Sequence, residues 1–170
     1  MTQKLILVSG MYGSGKTMYC SKFEYPLIHI DDYFNYVDKT MHYDLIEEWK
    51  NGNSQCDTLM LDAYIFTYDK YLSKLKKAIS PNISIRVIYT TIDELYKCQR
   101  STSVRKAREE AKNWSKEKHI QYIKSDQKIL IDRFTGYLNG GVVTSVEYIF
   151  REDNNYTTTN KEHILKILGE

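Results

Sequence analysis

The residues from Gly10 to Thr17, of sequence GMYGSGKT, directly follow the apolar run Leu5 to Val8 and have the spacing G-x-x-x-x-G-K-T. Glycines at this spacing let the backbone curl so that successive N–H groups point inward at phosphate oxygens. Lys16 would then reach the β- and γ-phosphates, and the Thr17 hydroxyl would suit Mg²⁺. The motif therefore predicts a nucleoside triphosphate site. The residues predicted to contact the nucleotide are Gly10, Tyr12, Gly13, Ser14, Gly15, Lys16, Thr17 and Met18.

Acidic residues follow two further apolar runs of the chain. Asp31 and Asp32 come after Pro26 to Ile30, and Asp62 comes after Thr58 to Leu61. Acids in such positions also cap helices and accept hydrogen bonds in turns. In open α/β sheets, however, ligands bind beyond the carboxyl ends of the strands. We therefore expect these acids at the same edge of the sheet as the phosphate loop.

Phosphoryl transfer needs a cation that bridges the phosphates and a group that orients or deprotonates the attacking hydroxyl. Asp62 is the predicted Mg²⁺ ligand, acting directly or through water together with Thr17. Asp31 is the predicted base, because its strand leads away from the phosphate loop towards a second pocket. Asp32 could take that role instead, or could cap the following segment. His29 is interpreted as a structural residue that points away from the face of Ile30.

The region from about residue 92 to residue 134 carries many lysines and arginines. Most of them are interpreted as solvated helix faces, because glutamates are interleaved at spacings that allow helical ion pairs. Arg100 ends a helix-like stretch, and Arg105 follows the flexible segment Ser101 to Ser103. A mobile lid would begin here, and its arginines could stabilise the transferring phosphate and help to exclude water. Arg100 and Arg105 are therefore candidate catalytic residues, and Arg108 is a weaker one.

Apolar runs alternate with longer amphipathic segments, which is typical of a parallel sheet covered by helices on both faces. Strands are predicted at Leu5 to Ser9, Pro26 to Ile30, Thr58 to Leu61, Ile83 to Thr90 and Ser145 to Phe150. Helices are predicted at Lys16 to Phe23, Tyr43 to Lys50, Tyr68 to Ile79, within 92–134, and at Lys161 to Leu168.

The amino-acid composition limits the classes of protein to which this chain can belong. A chain of 170 residues with 42% apolar and 27% charged residues predicts one folded domain, residues 1–170, and excludes a disordered chain. No long apolar stretch or signal-peptide core is present, so we expect a cytoplasmic protein without a membrane partner. Cys20, Cys56 and Cys98 are widely spaced and odd in number, which argues against disulfides or a zinc site. The net charge of +2 does not by itself indicate nucleic-acid binding.

Taken together, these motifs resemble the small P-loop kinases. Gly10 to Thr17 matches their Walker A sequence, and Leu59 to Asp62 matches a Walker B position. The segment Ile30 to Tyr33 resembles the strand-end motif of polynucleotide 5′-hydroxyl kinases and of uridine-kinase-like enzymes. In those families the first acid of this motif activates the acceptor hydroxyl, which implies that role for Asp31.

The resemblance also implies a fold and cofactors. It implies an α/β protein of the P-loop NTPase type, with three α/β/α layers and a five-stranded parallel sheet of strand order 2-3-1-4-5. The lid region would cover about residues 92–134, with Arg100 or Arg105 as the lid arginine. ATP would be the phosphate donor and Mg²⁺ the metal.

One position departs from the polynucleotide kinase pattern. Where those enzymes carry an arginine after the Asp-Asp-Tyr triplet, this chain has Phe34. With Tyr33, Tyr36 and Tyr43, Phe34 could form an aromatic wall on which a base stacks, or these rings could fill the core.

The leading hypothesis is an ATP-dependent kinase for a hydroxyl of a nucleoside, a nucleotide or a nucleic acid. Its acceptors include a 5′-hydroxyl end and a modified base such as a hydroxymethyl pyrimidine in DNA. The alternatives are a kinase of a non-nucleotide metabolite and a non-catalytic nucleotide-binding switch.

Overall fold

The structure, a computed structural model, describes residues 3–29, 46–53, 57–62, 82–101 and 113–169. Within these residues six strands form one sheet in the order β2-β3-β1-β4-β5-β6. The strands are β1 (Lys4–Ser9), β2 (Leu27–His29), β3 (Thr58–Asp62), β4 (Ile83–Tyr89), β5 (Ser145–Glu152) and β6 (Asn155–Thr159). The first five strands are parallel, and β6 pairs antiparallel with β5.

The helices described are α1 (Lys16–Cys20), α2 (Ile92–Arg100), α3 (Lys116–Asn139) and α4 (Lys161–Leu168). Residues 46–48 are also helical and continue into a π-helical turn, Trp49–Asn53. The Thr91 side chain caps α2 by accepting from the Glu94 N–H, and Ser115 caps α3 in the same way. Such caps satisfy N–H groups that the first turn of a helix leaves unpaired. They therefore fix where the two helices begin.

The two faces of the sheet are buried by different helices. On one face Leu5 and Leu7 of β1 belong to the same core cluster as Phe134 of α3. On the other face Ile6 and Val8 pack in a second cluster with Tyr19 of α1. Strand residues alternate between the faces, so a strand that is apolar throughout must be covered on both sides. The result is the three-layer α/β/α arrangement. None of the helices in the described ranges combines the length and apolarity needed to cross a membrane.

The predicted order of the five parallel strands, 2-3-1-4-5, is confirmed, but the predicted strand count is wrong because β6 was not foreseen. Asp153 has φ 52° and turns the chain back after β5. The following strand has the sequence NYTTT, which contains β-branched residues but no apolar run. A polar strand at the edge of a sheet, mostly exposed, does not show the pattern used to find the buried strands.

The helix predictions have mixed outcomes. The closing helix at Lys161–Leu168 is confirmed, whereas α1 ends at Cys20 rather than at Phe23. In its described part, the charged region 92–134 forms α2 and the longer α3, which runs on to Asn139. Residues 102–112, the helix predicted at Tyr68 to Ile79, and part of the one predicted at Tyr43 to Lys50 lie outside the described residues.

Candidate functional site

The loop that joins β1 to α1 has backbone conformations that favour glycine. Gly10, Gly13 and Gly15 have φ angles of 148°, 84° and 95°, in the region that residues with a Cβ avoid. A Cβ at Gly10 would lie 2.3 Å from the carbonyl oxygen of Ile88, and one at Gly15 would lie 2.8 Å from Cδ of Arg151. The loop therefore curls tightly against β4 and β5, at the carboxyl edge of the sheet where the sequence predicted it.

We expect Gly10→Ala to lower the free energy of unfolding by at least about 2 kcal/mol, because it combines a strained φ with contact against backbone. Gly136→Ala is the matched control, since an added Cβ there meets nothing within 4 Å. In a helix interior that change should stabilise the protein by roughly 0.5–1 kcal/mol. Thermal and urea unfolding measure both variants. Equal effects of the two alanines would show that the geometry assigned to Gly10 is incorrect.

Lys16 begins α1 and its side chain lies over the loop. Its Nζ donates to the carbonyl oxygen of Gly10 at 2.9 Å and to that of Met11 at 3.3 Å. An ammonium group has no acceptor of its own and strongly favours anionic partners. The positive charge is thus held beside the curled loop, and its contact with nucleotide phosphates stays a prediction.

The next residue, Thr17, meets the acid at the end of β3. Thr17 Oγ1 donates to Asp62 Oδ2 at 3.2 Å, and His29 Nδ1 lies 3.0 Å from the same oxygen. The strand pairing explains the second contact, because β2 and β3 are parallel with His29 directly beside Asp62. Asp62 is 4% exposed, and a buried carboxylate requires such partners. The structure thus places the two predicted metal ligands in contact, and their binding of Mg²⁺ stays a prediction; the contact of His29 was not anticipated.

The hydroxyl oxygen of Thr17 and the carboxylate oxygens of Asp62 are suitable ligands for Mg²⁺. This ion commonly completes its coordination shell with water and substrate phosphates. No group of three or more His, Cys, Asp or Glu side chains in the described parts of the chain could hold a metal by itself. A metal held by Thr17 and Asp62 would need further ligands, such as water and nucleotide phosphates, to complete its shell.

Cys20, at the end of α1, is not suited to nucleophilic chemistry. Burial, with a smaller contribution from the Asp62 carboxylate, raises the pKa of its thiol to about 12. The thiolate is the reactive form of cysteine, so this group stays protonated and inert at neutral pH. Cys20 serves instead as an apolar side chain that packs beside Tyr19 and Ile6.

Arg100, at the end of α2, has contacts with its neighbours in the helical region. Its Nε donates to His119 Nδ1 at 3.0 Å, its guanidinium also bonds to the Trp114 carbonyl, and it lies 5.4 Å from the ring centroid of Tyr96. Contact between Arg100 and phosphate remains a prediction. The other predicted residues Asp31, Asp32, Tyr33, Phe34, Tyr36, Tyr43, Arg105 and Arg108 lie outside the described residues.

Three further side chains that the sequence did not suggest contact the loop: Gln99, Arg151 and Tyr156. They are separated from their loop partners by 87, 137 and 141 positions. No local spacing could have indicated these contacts, because the topology of the sheet brings the residues together.

No protein-family model matches the chain, and no curated protein matches it in sequence. Similar folds occur among solved structures. One, described as the PezAT chromosomal toxin-antitoxin system of Streptococcus pneumoniae, is 16% identical, with 98% of this chain and 78% of that chain covered and a TM-score of 0.58. The shikimate kinase of Bacteroides thetaiotaomicron is 10% identical, with 98% and 94% covered and a TM-score of 0.47. A gluconokinase of Sinorhizobium meliloti 1021 is 14% identical, with 97% and 89% covered and a TM-score of 0.47.

Because the sequence identity to each of these structures is low, the similarity concerns the fold alone. With the glycine loop at the end of β1, the strand order 2-3-1-4-5 and the helices on both faces, the chain has a small P-loop kinase-like fold. This is the fold that the resemblance to small P-loop kinases predicted.

Proposed function

We propose that the protein is an ATP- and Mg²⁺-dependent phosphotransferase that transfers the γ-phosphate to an alcohol group. The observation that carries this proposal is the meeting of the loop with the strand-end acid. Lys16 lies over the curled loop, and the next residue, Thr17, contacts Asp62 at 3.2 Å. This arrangement combines a phosphate cradle, a cation and oxygen ligands for a metal, which are the parts that phosphoryl transfer uses.

Each residue has a defined task in this proposal. Loop amides and Lys16 bind the phosphates of ATP and offset the charge on the transferred group. Thr17 and Asp62 hold Mg²⁺, which when bound neutralises phosphate charge. Asp31 accepts the proton of the attacking hydroxyl. Its place in the sequence supports this role, because it follows by two residues His29, whose ring contacts Asp62.

We expect Asp62→Asn to weaken the apparent affinity for Mg²⁺ by about 10- to 100-fold, because an amide oxygen is a poorer ligand than a carboxylate. The measurement is ATP binding or phosphate transfer as a function of Mg²⁺ concentration. Asp132→Asn, at an exposed position of α3, is the control for loss of one negative charge. An unchanged Mg²⁺ dependence in the Asp62 variant would remove this residue from the metal site.

The acceptor that we propose is a hydroxyl of a nucleoside, a nucleotide or a nucleic acid. The support is the segment Ile30 to Tyr33, with its resemblance to polynucleotide and uridine-type kinases, and the aromatic residues that follow it in the sequence. A modified base such as a hydroxymethyl pyrimidine in DNA and a 5′-hydroxyl end both belong to this class. All of these acceptors present an alcohol beside a base that aromatic rings can recognise.

The test is incubation of the protein with γ-labelled ATP, Mg²⁺ and a panel of acceptors. The panel contains nucleosides, nucleotides, oligonucleotides with 5′-hydroxyl ends, DNA with hydroxymethyl bases, and small polar alcohols such as sugars. We expect transfer to one of the base-containing acceptors. Transfer to a sugar alone would assign the protein to metabolite kinases, and ATP binding without transfer to any acceptor would indicate a nucleotide-binding switch.

A further inference from the structure

Three carbonyl oxygens of the phosphate loop accept hydrogen bonds from side chains that lie outside the loop. The bonds run from Gln99 Nε2 to Tyr12 O at 2.9 Å, from Arg151 Nε to Ser14 O at 2.8 Å, and from Tyr156 Oη to Gly15 O at 2.8 Å. The donors belong to α2, β5 and β6. The loop is therefore held from both sides by elements that are distant in the sequence.

These bonds fix the direction of the neighbouring N–H groups. A trans peptide is planar, and its N–H points opposite to its carbonyl. With the carbonyls of Tyr12, Ser14 and Gly15 drawn towards the side chains, the N–H groups of the next residues point the other way. In the described parts of the chain, the N–H groups of Gly13 and Gly15 donate no hydrogen bond. They are thus oriented for an acceptor outside the protein.

We infer that Gln99, Arg151 and Tyr156 are positioning residues that set the phosphate-binding amides before the nucleotide arrives. They act on the loop carbonyls from behind rather than by contact with phosphate. Donors that already face the ligand bind it without a further cost of ordering, and this preorganisation is a general source of affinity. The inference rests on the proposed function, since it concerns the same triphosphate site.

Gln99 is itself oriented by a second pair of hydrogen bonds. Arg100 Nε always carries a proton, so His119 Nδ1, at 3.0 Å from it, is the acceptor. His119 Nε2 must then hold the ring proton and donate to Gln99 Oε1 at 2.7 Å. The amide nitrogen of Gln99 is left to face Tyr12 O. Gln99 and His119 are 1% and 0% exposed, so this chain of bonds is sheltered from water.

The hairpin of β5 and β6 supplies the other two bonds. Arg151 is 8% exposed, and it makes no ion pair with a carboxylate of the described residues. Its described hydrogen bonds go to the carbonyls of Ser14 and Asp153. Burial raises the pKa of the Tyr156 hydroxyl, which therefore stays protonated and donates. The charge of Arg151 thus lies behind the loop, where it also favours an anion on the other side.

Glycine makes this close support possible. A Cβ at Gly13 would lie 2.8 Å from Cβ of Cys98 on α2, and one at Gly15 would lie 2.9 Å from the Tyr156 hydroxyl. The two glycines therefore let the supporting elements reach the loop backbone, in addition to permitting positive φ.

Binding of inorganic tripolyphosphate and of Mg²⁺–ATP by Tyr156→Phe tests the inference, with calorimetry as the measurement. We expect both ligands to bind about 3- to 10-fold more weakly, since one neutral hydrogen bond that orients the loop is lost. Tyr148→Phe is the matched control, because its buried hydroxyl on β5 bonds to Thr135 rather than to the loop. The control should bind both ligands as the wild type does, although each variant loses one hydrogen-bonded tyrosine hydroxyl.

Gln99→Leu provides a second, independent variant on α2, with the same expected weakening. If both variants bind tripolyphosphate as tightly as the wild type while Lys16→Met loses binding, the positioning role is overturned and the proposed function stands. If the wild type binds neither tripolyphosphate nor Mg²⁺–ATP, the proposed function and the inference fail together. Equal weakening in Tyr148→Phe would also overturn the inference, because a general loss of packing would then explain the effect.

Discussion

Lys16→Met is expected to lower the rate of phosphate transfer by roughly 10²–10³-fold, the usual loss when a preorganised donor to a developing charge is removed. ATP binding should weaken as well, because the Lys16 ammonium, which is bonded to the Gly10 and Met11 carbonyls, is a positive charge held directly beside the loop backbone. Methionine keeps the length of the side chain and its apolar stem. The change therefore removes the charge and its three donors with little other alteration.

Two measurements check this expectation: label transfer from γ-labelled ATP, and calorimetric titration with Mg²⁺–ATP. Lys128→Met, at an exposed position of α3, removes the same charge away from the site and should leave both values unchanged. Unfolding curves of both variants establish that they are folded. Wild-type transfer by the Lys16 variant would mean that the loop does not bind the phosphates of the donor.

Asp31→Asn is expected to reduce transfer by about 10²–10⁴-fold, the range that a general base contributes. The amide has nearly the shape of the carboxylate but cannot accept the proton of the attacking hydroxyl. ATP binding should be largely preserved, because the phosphates are held by the loop and Lys16. Transfer assays at saturating ATP, together with titration of ATP into the variant, separate the two effects.

Asp32→Asn is the matched control for this prediction, since the same change is made one residue away. Loss of transfer in the Asp32 variant alone would move the role of base to Asp32, which the sequence left open. Full activity in both variants would reject a carboxylate base from this segment.

The parallel part of the fold was predictable because buried strands leave a strong pattern. Lys4–Ser9 and Thr58–Asp62 are buried almost throughout, and each has a continuous apolar run at its centre because both of its faces are covered. The loop between β1 and α1 was predictable because its chemistry depends on backbone conformations that glycines at fixed spacing allow. Strand β6 was missed because an edge strand that faces solvent needs no apolar residues, and its sequence NYTTT gave only a weak signal.

The candidate site was predictable where its members stand at the ends of strands. Asp62 was proposed in this way, and the structure places it against Thr17, while its role as a metal ligand stays a prediction. His29, Gln99, Arg151 and Tyr156 were not found. Their contacts follow from strand register and from hydrogen bonds between distant elements, which a single sequence does not encode as a local pattern.

The most direct test is a crystal structure of the protein with Mg²⁺ and a non-hydrolysable ATP analogue. We expect phosphate oxygens within about 3.2 Å of the N–H groups of Gly13, Gly15 and Lys16, with the metal beside Thr17 and Asp62. An analogue bound away from the residues Gly10 to Thr17, or a loop whose carbonyls rather than N–H groups face the phosphates, would contradict the proposed site.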